Sequence, residues 1–523
     1  MIKKIALGLL AMAAVLVSIT VVLVMSLQAP RMDVPDRNSW VFNDVILVES
    51  GSPPRPGSRL RIDAGQIVEV TQPRSAQESP ARSLPAVAMR GGGDEGVSKD
   101  SGDTTDLAGL YISPGLSDLH VHYPPKIAVG NAELWSLLLL AHGVTSIRET
   151  GSIDGSIFAV REAIRDGRFP GPRIFACGAM LDGEEPSFPS NRVVATPEEA
   201  REAVASLAAE GADCIKAYNM LSLDALAAIR EAAAKAGLPL IGHAPHSATL
   251  EEAGLVDLQH GTGAVVVDRE RVGRSDFLAA DWVSMDDERI AHVARVSLEQ
   301  DIAHTPTLVN GRMRLLLADD QQAEEVMARD SGLRHLPRFW QAAWGTIWGA
   351  PFVIGDAESE ERNEFFRTRQ AMMTTGLHEA GVRIHAGTDT LMPFVAPGSS
   401  LHGELADLVA AGIAPDDVWE IATREAGRTL ALPGLGSIAV GAPADLIFLR
   451  SNPSGDIAAF SEIEAVLADG RLYRRAELDA MLATADAHFH GTLYSGVMNT
   501  VVAVVQSQFV PDHEGTRNFG GQP

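Results

Sequence analysis

Cysteine is nearly absent, with only Cys177 and Cys214 in a chain of 523 residues. Two cysteines cannot make a stabilising framework, and each sits in an apolar strand-like run, so both are expected as buried free thiols. Lysine is almost as scarce, six residues against 37 arginines. Positive charge as a whole is in deficit. The formal net charge of −25 repels nucleic-acid phosphates and anionic lipid surfaces, so the folded body is expected to take neither as a partner. No bias marks a disordered, collagen-like or disulfide-scaffold protein, because 46% hydrophobic and 21% charged residues is an ordinary globular balance. The length has room for a barrel of about 250 residues and smaller units besides.

One long apolar run does occur. Lys3 and Lys4 precede an uncharged stretch from Ile5 to Leu27, against the roughly 20 residues a helix needs to cross hydrocarbon and about 7–15 in a signal-peptide core. Residues 1–30 therefore read as a hydrophobic helix that is a signal anchor or a cleaved signal peptide. The anchor is favoured, since Pro30 would follow a cut after Ala29. The lysines hold the N-terminal end in the cytoplasm. The rest is then expected to be exported, on the periplasmic side of the membrane or secreted, and the membrane is a partner only through this helix.

Short strand-like runs, Trp40–Phe42, Val45–Val48, Leu60–Ile62 and Ile67–Val70, are separated by Gly51, Pro53, Pro54, Asp63 and Gly65 and read as part of a small β-sheet. Residues 72–105, rich in Pro, Ser, Gly and charge, read as a mobile insertion. From about 113 to 433 short apolar runs alternate with Ala- and Leu-rich stretches of helical period, the pattern of repeated βα units around a parallel sheet. Eight candidate strands end near His122, Arg148, Ala176, Lys216, His243, His260, Leu308 and Asp389. Eight units argue for a closed (β/α)₈ barrel with its chemistry at the C-terminal ends of the strands. Strand patterns return over 434–475, around an Asp469-Gly470 turn signal, and are expected to complete the sheet of residues 38–112. Residues 476–523 form an extension of unknown role.

Polar residues at the ends of apolar strands need a reason. His120 and His122 are two apart, so both point to one face of their strand, and two imidazoles suit a borderline divalent ion such as zinc. Alone, the pair would also fit two hydrogen-bonded core histidines. Lys216 ends a buried run; near dications an ammonium is repelled, its pKa falls, and the neutral amine can take up carbon dioxide as a carbamate. Alone, it would more often be a salt-bridged lysine. His243, His260 and Asp389 close later strands, and an aspartate there can ligate a metal and exchange a proton with metal-bound water. The joint arrangement is harder to explain by packing.

The stretch Ser113-Pro114-Gly115-Leu116-Ser117-Asp118-Leu119-His120-Val121-His122 resembles the first-strand motif of the metal-dependent amidohydrolase superfamily. Similarity continues through Ile215-Lys216-Ala217-Tyr218, Gly242-His243-Ala244-Pro245, Gln259-His260-Gly261, Ala386-Gly387-Thr388-Asp389 and the closing segment Gly436–Leu446. The resemblance covers about residues 38–475, excluding the insertion. It implies an α/β fold with a distorted (β/α)₈ TIM barrel over 113–433 and a small β-sandwich from 38–112 and 434–475.

It also implies two divalent metal ions, zinc being the expected one, and carbon dioxide as a carbamate on Lys216. His120, His122 and Asp389 would hold one ion, His243 and His260 the other, with carbamylated Lys216 between them. A hydroxide bridging the two ions would attack an amide-like carbon–nitrogen bond of a dipeptide-like or cyclic substrate, and Asp389 would pass its proton to the leaving amine. Lys216 with Tyr218 is most similar to the imidazolonepropionase-like and prolidase-like branch. Tyr218 could meet a substrate carboxylate or carbonyl, or simply be packed.

Mononuclear deaminases of the superfamily place a glutamate three residues after the fifth-strand histidine. Here that residue is His246, which disfavours a deaminase and makes His246 a pocket candidate beside a surface-loop alternative. His385, His304 and His402 are further candidates, with structural packing favoured; Thr307 and Asn310 could face substrate. The segment 265–364, with Trp282, Trp340, Trp344 and Trp348, reads as a helical lid or, more plainly, as an enlarged seventh unit with buried aromatics. A deaminase or lactonase on the same scaffold, or a metal-binding protein without turnover, are the competing functions. Oligomeric state is open, a homo-oligomer included.

Overall fold

The computed structural model describes residues 25–72, 104–264, 282, 285–344 and 357–509. Most of the N-terminal apolar run, most of the 72–105 insertion and parts of the 265–364 segment, Trp348 included, lie outside the described residues. Among the described residues no helix is long and apolar enough to cross a membrane.

The strands in chain order are β1 (Trp40–Leu47), β2 (Arg55–Asp63), β3 (Gln66–Thr71), β4 (Tyr111–Pro114), β5 (Leu116–Val121), β6 (Val144–Glu149), β7 (Arg173–Ala176) and β8 (Leu181–Asp182). There follow β9 (Arg192–Val193), β10 (Ile215–Ala217), β11 (Leu240–Gly242), β12 (Asp257–Gln259), β13 (Ala303–Thr305), β14 (Leu446–Leu449), β15 (Ile463–Ala468) and β16 (Arg471–Arg474). β5, β6 and β7 form a parallel sheet, and β13-β12-β11-β10-β8-β9 a second one. β5, β6 and β10 to β13 are buried at every residue. Their polar residues, such as Asp118, Arg148, Lys216 and Gln259, are therefore buried along with the apolar ones, without alternation of buried and exposed positions.

The helices used below are α1 (Asn131–Ala141), α2 (Pro197–Glu210), α3 (Leu223–Ala236), α4 (Asp287–Gln300), α5 (Leu308–Met313), α6 (Ala357–Glu379), α7 (Ser399–Ala410), α8 (Arg475–Phe489) and α9 (Thr492–Phe509). Their ends follow local chemistry. α2 begins with a capping box between Thr196 and Glu199, has Pro197 in its first turn, and stops at left-handed Gly211. It buries Ala200, Ala203, Val204 and Leu207, an i, i+3, i+4, i+7 stripe. Ser222 caps α3, which ends at Gly237. The result is a mixed α/β fold whose sheets are consistent with a TIM-barrel-like domain.

The segment expected as the eighth strand forms none. Ile384 makes a single bridge to His304, and on its other side Leu119 N donates to Ala386 O (2.9 Å) and Asp389 N to His120 O (2.8 Å). Asp389 sits in the left-handed region, φ 63°, which ends extended pairing. Gly387 comes so close to β5 that a Cβ there would lie 2.8 Å from His120 Cβ.

Between β7 and β10 there is also no ladder. Asp213 N donates to Ala176 O (2.7 Å), Asp213 Oδ2 accepts from Ala176 N (2.8 Å), and Cys177 and Cys214 form a disulfide. The expectation of free thiols is overturned. Cys177 directly follows β7 and Cys214 directly precedes β10, and the bonds between Ala176 and Asp213 bring their Cα atoms to 4.5 Å, within bonding range.

The two flanks meet in one seven-stranded sheet, β16-β15-β14-β4-β1-β2-β3. Its β3 edge turns back to residues 441–444, through Ile67 N to Ala442 O (2.9 Å) and Ala444 N to Gly65 O (2.8 Å). The sheet thus wraps its own core, which contains Trp40, Phe42, Leu60, Ile62, Leu446 and Phe448. Trp282, Trp340 and Trp344 are buried in the main core. α8 follows β16 directly, and α9 packs on the helix Phe339–Ala343.

Candidate metal centre

Strand ends converge on Asp389. Its Oδ1 lies 3.4 Å from His120 Nε2 and 3.2 Å from His122 Nε2, and its Oδ2 lies 3.9 Å from His260 Nε2. The His120 ring is 4.5 Å from that of His260, which is 5.1 Å from that of His243. Ligand atoms of His120, His260 and Asp389 all fall within 4.8 Å of one another. That group has the donor chemistry of a divalent-metal site.

Each imidazole is oriented from behind. Nδ1 of His120 is 2.6 Å from Gln259 Oε1, that of His122 is 2.8 Å from Gly151 O, that of His243 is 2.7 Å from Asn219 Oδ1, and that of His260 is 2.6 Å from Thr307 Oγ1. An oxygen acceptor draws the proton to Nδ1 and leaves the Nε2 lone pair for an ion. Gln259 is fixed in turn by donating from Nε2 to Asp257 Oδ1 (2.8 Å). Asp257 also pairs with Arg148. Backbone strain gathers here: His260 (φ 59°), Thr307 (φ 54°) and Asp389 (φ 63°) are all left-handed, a conformation costing about 1–3 kcal/mol each in non-glycine residues.

Lys216 is 1% exposed, and its Nζ has no hydrogen-bond partner. Burial lowers its pKa to about 7, while Asp389 pulls the other way. A buried amine left unpaired beside four imidazoles is the feature a carbamate ligand would satisfy. Burial also opposes charge on Asp389, but His120 and His260 hold its carboxyl well below the usual range. Burial, and then the nearby Lys216, keep His120 and His243 well below the ordinary imidazole value. The residues present therefore fit divalent metal.

Tyr218 stacks beside His243, ring centroids 4.3 Å apart. His246 is half-buried on the loop after β11, its backbone N donating to Asn219 O (2.8 Å). His385 lies outside the cluster: its Nδ1 is 2.8 Å from Asp257 Oδ2 and its Nε2 is 2.7 Å from Thr429 Oγ1. With both nitrogens engaged, it is placed to hold Asp257 and not to meet substrate. His304 Nε2 packs 2.8 Å from Ser297 Oγ, and His402 Nε2 2.8 Å from His142 O, so neither joins the cluster.

Four further residues shape the site beyond those that the sequence pattern singles out. Asp118 precedes His120 by two and shares its side of β5; it binds Thr388 Oγ1 (2.6 Å), and burial raises its pKa to about 7. Glu149 ends β6 and accepts from Gly151 N (2.7 Å) and Gly178 N (3.2 Å); burial raises it to about 7 as well. The two-residue alternation already marked Asp118, and the strand-end position marked Glu149. Asn310, which the sequence offered only as a substrate contact, donates from Nδ2 to Asp389 Oδ2 (2.6 Å). Arg314 stands one helical turn beyond Asn310, its guanidinium 5.9 Å over the Phe366 ring, and its charge acts on Asp389 and His260. Gln259, the fourth, looked like an ordinary strand residue.

Residues 111–473 match the amidohydrolase family. The chain belongs to that family. Among solved structures this amidohydrolase is similar to the bottromycin amidohydrolase AH, at 24% identity and a TM-score of 0.64 over 88% of this chain and 93% of that one. It is similar to a putative prolidase from Bifidobacterium longum at 24% identity and a TM-score of 0.60, over 86% of this chain and 100% of the other. A third likeness is to a Xaa-Pro dipeptidase with methionine bound in its active site, at 19% identity and a TM-score of 0.56, over 83% and 100% of the two chains. No curated protein sequence matches the chain. Family membership supports a hydrolase of amide bonds, and the family generally binds divalent metals.

Proposed function

We propose that the chain is a binuclear metallohydrolase that cleaves the amide bond of a dipeptide-like or cyclic substrate, on the prolidase-like branch of its superfamily. The observation that carries the reading is the convergence of four oriented imidazoles, Asp389 and an unpaired buried lysine amine at one rim. His120, His122 and Asp389 would hold one ion and His243 and His260 the other, with Lys216 joining them as a carbamate. Two divalent ions, zinc by donor type, would supply Lewis acidity that lowers the pKa of water and polarises the scissile carbonyl.

The chain's own groups do the rest. Asp389, held ionised and tethered by Asn310, takes the proton of the attacking water and delivers it to the leaving nitrogen. Gln259, Gly151, Asn219 and Thr307 keep each ring in the tautomer that presents Nε2. Tyr218 and Arg314 offer a hydroxyl and a cation for a substrate carboxylate, the group a dipeptide-like substrate carries.

Residues 113–433 are assigned to a closed, distorted barrel, supported by the bonds of Ala386 and Asp389 to β5 and of Asp213 to β7. Residues 38–112 and 434–475 are assigned to the sandwich-like flank. Export is supported by the Cys177–Cys214 disulfide, a bond rare in reducing compartments. The anchored form is supported by Leu27, which is buried against the folded body.

Metal analysis with turnover of a panel of dipeptides, N-acyl amino acids and lactones tests the reading. Two equivalents of metal, a mass increase of one carbon dioxide at Lys216 and amide cleavage are expected. Metal bound tightly with no hydrolysis, or faster cleavage of lactones than amides, would overturn it.

A further inference from the structure

From Gly491 to Pro511 no Asp, Glu, Lys or Arg occurs, in a chain where 21% of residues are charged. α9 occupies most of this stretch. One side of it packs inward, with Tyr494, Met498 and Val502 buried. Leu493 and Val504 are 54% and 56% exposed. Eleven residues is about three helical turns, so both stand on one face, with exposed Thr500 and half-buried Val497 between them, as a stripe about 16 Å long.

The start of this stripe meets two other exposed apolar side chains. Tyr494 OH donates to Val129 O (2.7 Å), so α9 begins against the loop that carries Ile127, 54% exposed. A Cβ on Gly130 in the same loop would lie 2.8 Å from Ala29 N and 3.2 Å from Phe489 Cε1. Met25, 70% exposed, thus leaves the body at this corner, and it is there that the uncharged run from Ile5 joins the fold. Surface helices facing water carry charged residues on that side. This one carries none, at the point where the chain's apolar run departs.

We propose that the charge-free face of α9, together with Met25 and Ile127, rests on the lipid bilayer that receives the N-terminal run. A body of net charge −25 is repelled by anionic headgroups. A charge-free helix face lets this corner approach lipid. The loop bearing Ile127 begins directly after His122, so the rim of the metal centre would stand beside the membrane. The surface rests on the anchored reading of residues 1–30.

The full chain, reconstituted in phosphatidylcholine vesicles containing about a quarter phosphatidylglycerol, tests this. Leu493→Cys and Val504→Cys, and Leu298→Cys on α4 (52% exposed) as control, are labelled with an environment-sensitive fluorophore; the native cysteines are buried in their disulfide. Lipids brominated on their acyl chains should quench positions 493 and 504 at least threefold more than 298, and aqueous iodide should show the reverse order. Equal lipid quenching at all three positions in vesicle-bound protein overturns the surface while leaving the anchor intact. Shielding of 493 and 504 from both quenchers also overturns it, and assigns the face to a second copy of the chain. Protein that does not float with the vesicles overturns anchor and surface together. If one labelled variant fails to fold, the other carries the comparison.

Discussion

Two sets of buried histidines share this molecule and behave differently. In His120, His122, His243 and His260, Nδ1 is bound to an oxygen of the protein and the rings crowd around Asp389 and Lys216. In His142, His335 and His385 the ring nitrogens are spent on ordinary partners: Leu138 O and Ser331, Asp486 and Arg334, Asp257 and Thr429. Both sets are removed from water to similar degrees. What separates them is direction. A structural histidine satisfies itself within the fold, whereas a ligand histidine is held by one nitrogen so that the other can serve something else.

The largest break in the comparison comes from the one member that is not a histidine. Lys216→Ala should remove the link between the two halves of the cluster. Hydrolysis is expected to fall by about a thousandfold or more, with metal content down by about half, since catalytic metals and proton-transfer groups contribute on that scale. A short-chain carboxylic acid added to the variant should restore part of the rate by taking the place of the carbamate oxygens. Unaltered turnover in the unsupplemented variant would show that Lys216 belongs with the structural groups.

A smaller effect is expected one layer out. Gln259→Leu keeps the volume of the side chain but removes the acceptor at His120 Nδ1 and the donor to Asp257. Metal affinity should fall about 10–100-fold, the usual size for a group that orients a ligand. The reading is checked by titrating metal-free protein with zinc. The same substitution of partner at a structural ring, Ser331→Ala beside His142, should leave that titration unmoved.

Smaller again is Arg314→Gln. For substrates ending in a free carboxylate, KM should rise about tenfold, roughly the worth of one charge-assisted hydrogen bond. The ratio of kcat/KM for the acid to that for its C-terminal amide should drop by the same factor. An equal loss for acid and amide would place Arg314 with the groups that merely shape Asp389.

Much of this division was legible in the residue order, and the gaps have physical causes. His120, His122, Lys216, His243, His260 and Asp389 stand out because burying imidazole, amine or carboxylate at the ends of apolar strands demands a compensating partner. The parallel strands themselves are legible from short apolar runs that alternate with stretches of helical period. The disulfide was not, because pairing depends on which strand lies beside which, and Cys177 and Cys214 are 37 residues apart. The eighth strand failed because Gly387 and left-handed Asp389 shape that segment for the site and not for pairing. Gln259 and Arg314 carry no signal of their own; their roles come from what the fold sets next to them. His385 looked like a pocket residue only because it is four positions from Asp389.

A buried histidine of neither set yields the smallest effect: His304 Nε2 meets Ser297 Oγ, whereas its Nδ1 has no hydrogen-bond partner. His304 is 2% exposed and lies on β13, outside the cluster around Asp389. Burial lowers its pKa to about 4 from an ordinary 6.5. A base whose folded value is depressed takes up protons more readily when unfolded, so stability rises with pH between about 4 and 6.5 and is lost as pH falls through that window. Moving from pH 7 to pH 5 should cost about 2 kcal/mol through His304. In urea unfolding of the two proteins at both pH values, His304→Gln should lose about 2 kcal/mol less than the parent on acidification, with metal content the same. If the two proteins lose equal stability, acid sensitivity arises elsewhere, and His304 is not a buried neutral imidazole.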